Sequence, residues 1–304
     1  MNLLIAAAVL PAIGLLYYVY KKDTVEKEPP RLIIRLFVLG MIAGPLAGIT
    51  ENFAFAAFES IIPPGPLLLI CEYFIGVAAV EEGFKYLFLN TVRNSPEFNY
   101  VFDGIVYAVA VSVGFAALEN ILYVFDGGFE VAVQRAIFAV PGHFADGVIM
   151  GCFFGLAKQR EVRGNKAGAH MYYVLAFLLP TIEHGFYDAA LSSESDLLAL
   201  IALAFDLAFI AIAIALIRRM SKNDSPLHHP NQIRAAQTTP LTPMDAQSQM
   251  NQYGQTPQQP TQPYGYGQQY GQQNPWQHGT AQRQAPTQWQ QPSQQQPWDS
   301  DSQH

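Results

Sequence analysis

Residues 66–90 read PLLLICEYFIGVAAVEEGFKYLFLN, an apolar run interrupted only by Glu72, Glu81, Glu82 and Lys85. About 20 apolar residues suffice to cross a hydrocarbon core as a helix, so this run is read as a membrane span. The rest of the composition agrees: 50% of the 304 residues are hydrophobic and 13% are charged, against roughly 25% charged in soluble domains. Ionisable groups enter a membrane helix at roughly 2.5 to 3.5 kcal/mol each on insertion scales, so those that remain are expected to face a bundle interior or a wet site.

Six more stretches have spanning length: about 2–20, 33–57, 101–123, 134–157, 171–191 and 197–217. The expected fold is therefore all-α, a polytopic membrane bundle of about seven helices spanning residues 1–222. The first run has no basic residue before it and Lys21 and Lys22 after it, which argues for a retained helix over a cleaved signal. Positive charge collects in cytoplasmic connections. Lys21, Lys22, Lys27, Arg31, Arg35, Arg93, Lys158, Arg160, Arg163, Lys166, Arg218, Arg219 and Lys222 all fall in alternate connections, and only Arg135 falls in the opposite set. The N-terminus is expected outside and the C-terminus inside.

Residues 223–304 are rich in Gln, Pro, Gly and Tyr, hold all three tryptophans, and carry positive charge only at Arg234 and Arg283. Such a composition cannot build a core and is read as a disordered cytoplasmic tail. Its aromatic residues are candidates for docking cytoplasmic partners. Neither part is basic enough for nucleic acid. Cys71 and Cys152 both sit in apolar runs and read as small hydrophobic groups.

The polar residues inside the spans carry the chemistry. Lys85 shares a helix face with Glu81 at i,i+4 and with Glu82 at i,i+3, so one carboxylate is neutralised and the other is left as a base or a ligand. Glu119 and Asn120 end the fourth span, where a glutamate reaching headgroups is the simple structural reading. In the fifth span Pro141-Gly142 precedes His143 and is expected to loosen the helix near its middle. In the sixth, His184 and Asp188 lie one turn apart.

Peptide hydrolysis needs an activated water, a base and oxyanion donors, which a desolvated glutamate, the two histidines and an asparagine supply. Equally, His143, His184 and one carboxylate such as Glu119 could hold zinc with an open position for water. No H-E-x-x-H, G-x-S-x-G or phosphate-binding glycine loop is present, so spacing leaves these routes open. A proton-coupled transporter would use the same residue types but predicts inverted repeats, which are not visible.

Glu81-Glu82-x-x-Lys85, then Asp103-Gly104-Ile105-Val106-Tyr107 with Gly114-Phe115-Ala116-x-x-Glu119-Asn120, then His143, then His184-Gly185-x-Tyr187-Asp188 together resemble the PrsW family of bacterial intramembrane proteases. The resemblance covers about residues 1–220, including Lys22-Asp23 and Glu28-Pro29. It implies location in the bacterial plasma membrane and cleavage of single-pass membrane substrates of the anti-sigma factor type, cut toward their extracytoplasmic end. The wider superfamily includes the CAAX-prenyl endopeptidases, where glutamate-activated water is favoured and the second motif ends in His where this chain has Glu119. A metalloprotease classification also attaches to PrsW.

The expected site follows. Glu81 activates water, Glu82 pairs with Lys85, and Glu119 holds water or substrate. His143 and His184 stabilise the oxyanion, Asp188 orients His184, and Phe115 and Asn120 give support. No cofactor is required in this reading; zinc on His143, His184 and Glu119 is the alternative. Depth along the spans puts the site in the middle to outer part of the membrane.

Overall fold

A peptide group in hydrocarbon has no water to bond, so each apolar run must close its own hydrogen bonds as a helix. In the computed structural model, which describes residues 2–227, the runs form α1 (Asn2–Lys22), α2 (Pro30–Ile61), α3 (Pro66–Ile70), α4 (Ala79–Leu89), α5 (Asp103–Ile137), α6 (Ala139–Val162), α7 (Lys166–Leu191) and α8 (Asp196–Lys222). A π-helical segment, Cys71–Ala78, joins α3 to α4, and a short 3-10 turn, Asn90–Val92, follows α4. Five segments are long and apolar enough to cross a membrane by length and composition: 5–22, 30–61, 103–125, 127–162 and 196–222. The two other long helical stretches, 66–92 and α7, are those diluted by Glu72, Glu81, Glu82 and Lys85 and by Glu183, His184 and Asp188.

The fifth expected span, 134–157, falls within the 127–162 segment but straddles a boundary between two helices. Helix α5 runs on to Ile137 through a break at Gly128, whose positive φ of 71° suits a residue without a side chain. Consequently Pro141 lies in the first turn of α6, where its missing amide has no helical partner to lose. It does not loosen the middle of a helix, and His143 sits in the second turn.

Helix α5 is the axis of the bundle. From Asp103 to Ala117 it is buried on every face, and it packs against α1, α2 and α6. Close approach to α6 depends on small residues at four-residue spacing, as lipid offers no hydrophobic push between helices. A Cβ at Gly151 would collide with the carbonyl of Gly104, and one at Gly155 with the carbonyl of Val101. Outward faces carry exposed Leu10, Ile34, Phe53 and Leu200, the apolar surface that lipid would cover.

One end of the bundle is closed by polar bonds. The segment after α8 lies against the start of α5: Val101 N donates to Ser225 O at 3.1 Å and Leu227 N to Asn99 O at 2.8 Å. Asp224 Oδ1 accepts from Phe102 N at 3.0 Å, and Leu227 is fully buried. The packed chain thus runs past the 222/223 boundary read from composition. Residues 228–304, the bulk of the expected tail, lie outside the described residues.

Candidate active site

Four helices bring the predicted polar residues together. On α4, Lys85 is wholly buried and sits over the Phe115 ring of α5, 4.2 Å from its centroid. Its Nζ donates to Glu82 Oε1 at 2.7 Å and lies 3.5 Å from Glu81 Oε2. It is also 3.1 Å from Nδ1 of His143 on α6. An ammonium can only donate, so His143 Nδ1 accepts and its Nε2 donates to Glu119 Oε2 at 2.8 Å.

His184, on α7, places Nδ1 3.0 Å from Glu82 Oε1. Its Nε2 is 3.2 Å from Asp188 Oδ2 and 3.8 Å from Glu81 Oε2. The two imidazoles lie edge to face, with centroids 5.3 Å apart. At Gly185 a Cβ would meet the Phe74 ring at 2.7 Å, so the missing side chain lets the π-helical segment close against the turn carrying His184.

All the expected catalytic residues therefore converge, with different environments. Glu82 is fully buried and its Oε1 is committed to both Lys85 and His184. Glu81 has only the two long contacts. It lines a cavity of about 890 Å³ together with Glu119, His143, His184 and Asp188. Tyr187 and Glu51, the latter from α2, line it too.

The structure adds partners that the sequence does not give for two of these residues. Asn120, expected in a supporting role, has both ends of its amide engaged away from the histidines: its Nδ2 donates to the Ala8 carbonyl at 3.2 Å, and its Oδ1 accepts from Arg135 Nε at 2.7 Å. Glu119 is not a headgroup contact, because Arg135 pairs with its Oε2 at 2.7 Å and His143 shares that oxygen. Arg135 is the residue that motif reasoning missed. Its signal was being the lone basic residue on the wrong side of the charge pattern. Ser112 was also unassigned; its Oγ donates to the His143 carbonyl at 2.5 Å and fixes the turn that carries the ring.

Comparison with known proteins decides what this arrangement belongs to. The profile of the PrsW family intramembrane metalloprotease matches residues 28–217.

The chain belongs to the PrsW family.

Among similar proteins, Protease PrsW of Oceanobacillus iheyensis is 36% identical over 225 residues, covering 72% of this chain and 97% of that protein. Protease PrsW of Geobacillus kaustophilus is 39% identical over 188 residues, covering 61% of this chain and 78% of its own length. That of Bacillus subtilis is 34% identical over 194 residues, covering 64% and 84%. No solved structure matches the chain. As a PrsW family member it is an intramembrane protease and a membrane protein.

The family description raises the question of a metal. Glu81, Glu82, His143 and His184 each offer one ligand atom within 4.8 Å of the others, all from buried residues. Two imidazoles and two carboxylates suit zinc in type and number. Glu119, part of the ligand set expected from sequence, is not in that group. Lys85 Nζ, however, already touches Glu82 and His143 in the middle of these donors. The donor set fits a divalent ion only with Lys85 withdrawn.

Proposed function

We propose that this PrsW family member hydrolyses a peptide bond of single-pass membrane proteins, of the anti-sigma factor class that the resemblance implies, using water activated by Glu81. The observation that carries the assignment is the asymmetry of the glutamate pair. Glu82 is enclosed and holds Lys85 and His184 at 2.7 and 3.0 Å. Glu81 borders the cavity with no contact below 3.5 Å, so one of its oxygens is available to a water.

In this reading Glu81 takes the proton of the attacking water and returns it to the leaving amine. His184 borders the cavity and its Nε2 is held by Asp188 at 3.2 Å, so it reaches the oxyanion by exchanging that bond for substrate. His143 directs its N–H at Glu119 at 2.8 Å and must make the same exchange, from a shorter bond. Phe115 and Lys85 hold the charged pair in place, and Arg135 holds Glu119.

The metal reading keeps the support of the family description and the four convergent donors. Zinc on Glu81, Glu82, His143 and His184 would supply Lewis acidity and lower the pKa of a bound water. The preferred reading needs no metal, because the ammonium already balances the buried carboxylate.

The basic ends of α1, α6 and α8 lie together with Arg93 and the loop after α4, tied by Arg93–Glu161 at 2.8 Å and Thr24–Ser221 at 3.4 Å. We take that end as cytoplasmic in a bacterial plasma membrane, with the N-terminus outside and the proteolytic domain extended from the expected 1–222 to the packed residues up to Leu227. The test is cleavage of a single-pass membrane reporter by the full chain in proteoliposomes. Glu81→Gln should lower the rate by about 10² to 10⁴ while the protein stays folded, and a chelator should leave the wild-type rate intact. Near-normal turnover in Glu81→Gln would remove it as the base, and loss of activity to the chelator, restored by zinc, would favour the metal reading.

A further inference from the structure

Beyond the two histidines the cavity has an acidic wall that the hydrolytic reading does not use. Asp146 on α6, Glu183 on α7 and Asp206 on α8 all line it. Each is almost completely buried, with 2%, 3% and 2% of its surface exposed. Each carries a buried oxygen without a hydrogen-bond partner: Asp146 Oδ1, Glu183 Oε1 and Asp206 Oδ2. No ion pair among the described residues involves any of the three.

These carboxyl groups are tied to the reacting centre. Asp146 follows His143 by less than one helical turn, and Glu183 precedes His184 directly. Asp206 faces Gly142, where an added Cβ would lie 3.4 Å from its Oδ1, so the absent side chain gives it room beside the His143 turn. Helix α8 is otherwise without charge from Leu197 to Ile217, so Asp206 is a single acidic group on an apolar helix, aimed inward. Buried polar atoms are normally satisfied, and an orphaned carboxyl oxygen in a water-poor interior is costly. Three such oxygens on one cavity are acceptors that a cationic group entering it would satisfy. Arg135, the one arginine bordering the cavity, is already spent on Glu119 and Asn120.

Resting on the proteolytic reading above, we propose that this wall is a specificity subsite that receives a lysine or arginine side chain of the substrate near the scissile bond. A long basic side chain can lay its apolar stem along a membrane protein interior and place its charge at depth, as Lys and Arg do at the ends of membrane segments. The three carboxyl groups then accept the hydrogen bonds of the cation, and that match fixes which bond comes to Glu81.

The experiment uses the full chain in proteoliposomes with a set of single-pass reporters, in which each position flanking the cut carries Lys, Arg, Gln or Met in turn. One position should show kcat/KM at least about tenfold higher for Lys or Arg than for Gln, expressed mainly in KM. Asp206→Asn and Glu183→Gln should each erase most of that ratio. A flat profile in the wild type overturns the proposal, as does an equal slowing of Lys and Gln reporters by both variants, the result expected of a proton relay or of a packing role. Binding gives a readout independent of turnover. Glu81→Gln protein should retain the Lys reporter more tightly than the Gln reporter, with the difference lost on adding Asp206→Asn. Equal binding overturns the subsite even if cleavage occurs, whereas a binding preference without any cleavage by the wild type overturns the proteolytic reading and leaves the subsite standing.

Discussion

Replacing Lys85 by methionine keeps the unbranched stem, one atom shorter, and removes its charge, which makes it the sharpest probe of how the centre is balanced. The ammonium is wholly buried and touches Glu82 at 2.7 Å, His143 at 3.1 Å and Glu81 at 3.5 Å. Glu82 is equally buried, and its Oε2 already has no partner. Without Lys85 only His184 would face it. Removing one member of a buried ion pair costs about 3 to 5 kcal/mol, because the remaining charge stays in a poor solvent. At about 2 to 4 °C per kcal/mol for chains near this size, the melting point should fall by roughly 6 to 20 °C. Cys152, only 4% exposed, offers the assay: in a Cys71→Ser background, its reaction with a thiol-sensitive dye in detergent reports unfolding. The double variant Lys85→Met, Glu82→Gln should recover much of the loss, since the stranded charge is gone. A single variant that melts within about 2 °C of the parent, or a double variant no better than the single, would refute this balance of charge.

Arg135→Met should release Glu119 and unseat Asn120, lowering cleavage by about tenfold or more through loss of a charge-assisted bond; a kinetic assay with unchanged turnover would mean Glu119 is held well enough by His143 alone. Truncation after Leu227 should leave melting point and cleavage near those of the full chain. Truncation after Lys222 removes buried Leu227 and the Asp224, Ser225 and Leu227 bonds to residues 99–102, and should lower the melting point measurably; equal stability of the two would show these bonds to be idle. Glu28, in the connection between α1 and α2, has its pKa raised by burial from 4.5 to about 7. The folded chain then keeps a proton that the unfolded chain releases, so this contribution to stability is whole below pH 4.5 and is lost as pH rises to about 7. Glu28→Gln should flatten that part of the melting profile, and an unchanged slope would place its origin elsewhere.

Apolar length alone locates the long helices, because a bilayer leaves a hydrophobic run few alternatives. Boundaries are less legible where a helix continues beyond its apolar stretch, as α5 does past Phe125, and where Pro141 reads as a kink although it opens a helix. The i,i+3 and i,i+4 spacings of Glu81, Glu82 and Lys85 forecast their pairing, since those distances are fixed within one helix. Which glutamate faces the cavity is not forecast by spacing, because it depends on where α7 places His184. Arg135 and Asn120 illustrate the same limit: the bonds to Glu119 and to Ala8 join residues far apart in sequence. Asp146, Glu183 and Asp206 are visible as polar residues in apolar runs, but only the packing of three helices puts them in one wall.

The π-helical segment Cys71–Ala78 acts as slack in the aim of the glutamate pair. Its hydrogen bonds reach one residue further than those of an α-helix, so the stretch stores extra residue in the same length of axis. Trimming one residue from it would let the wide coil close to the ordinary pitch, which takes up most of the change and leaves Glu81 on the cavity side. In an ordinary α-helix the same loss has nowhere to go and swings everything beyond it by about 100°. The stretch before the glutamates is therefore a buffer: it tolerates a one-residue change in length that would misalign the motif if it fell within a tightly wound helix.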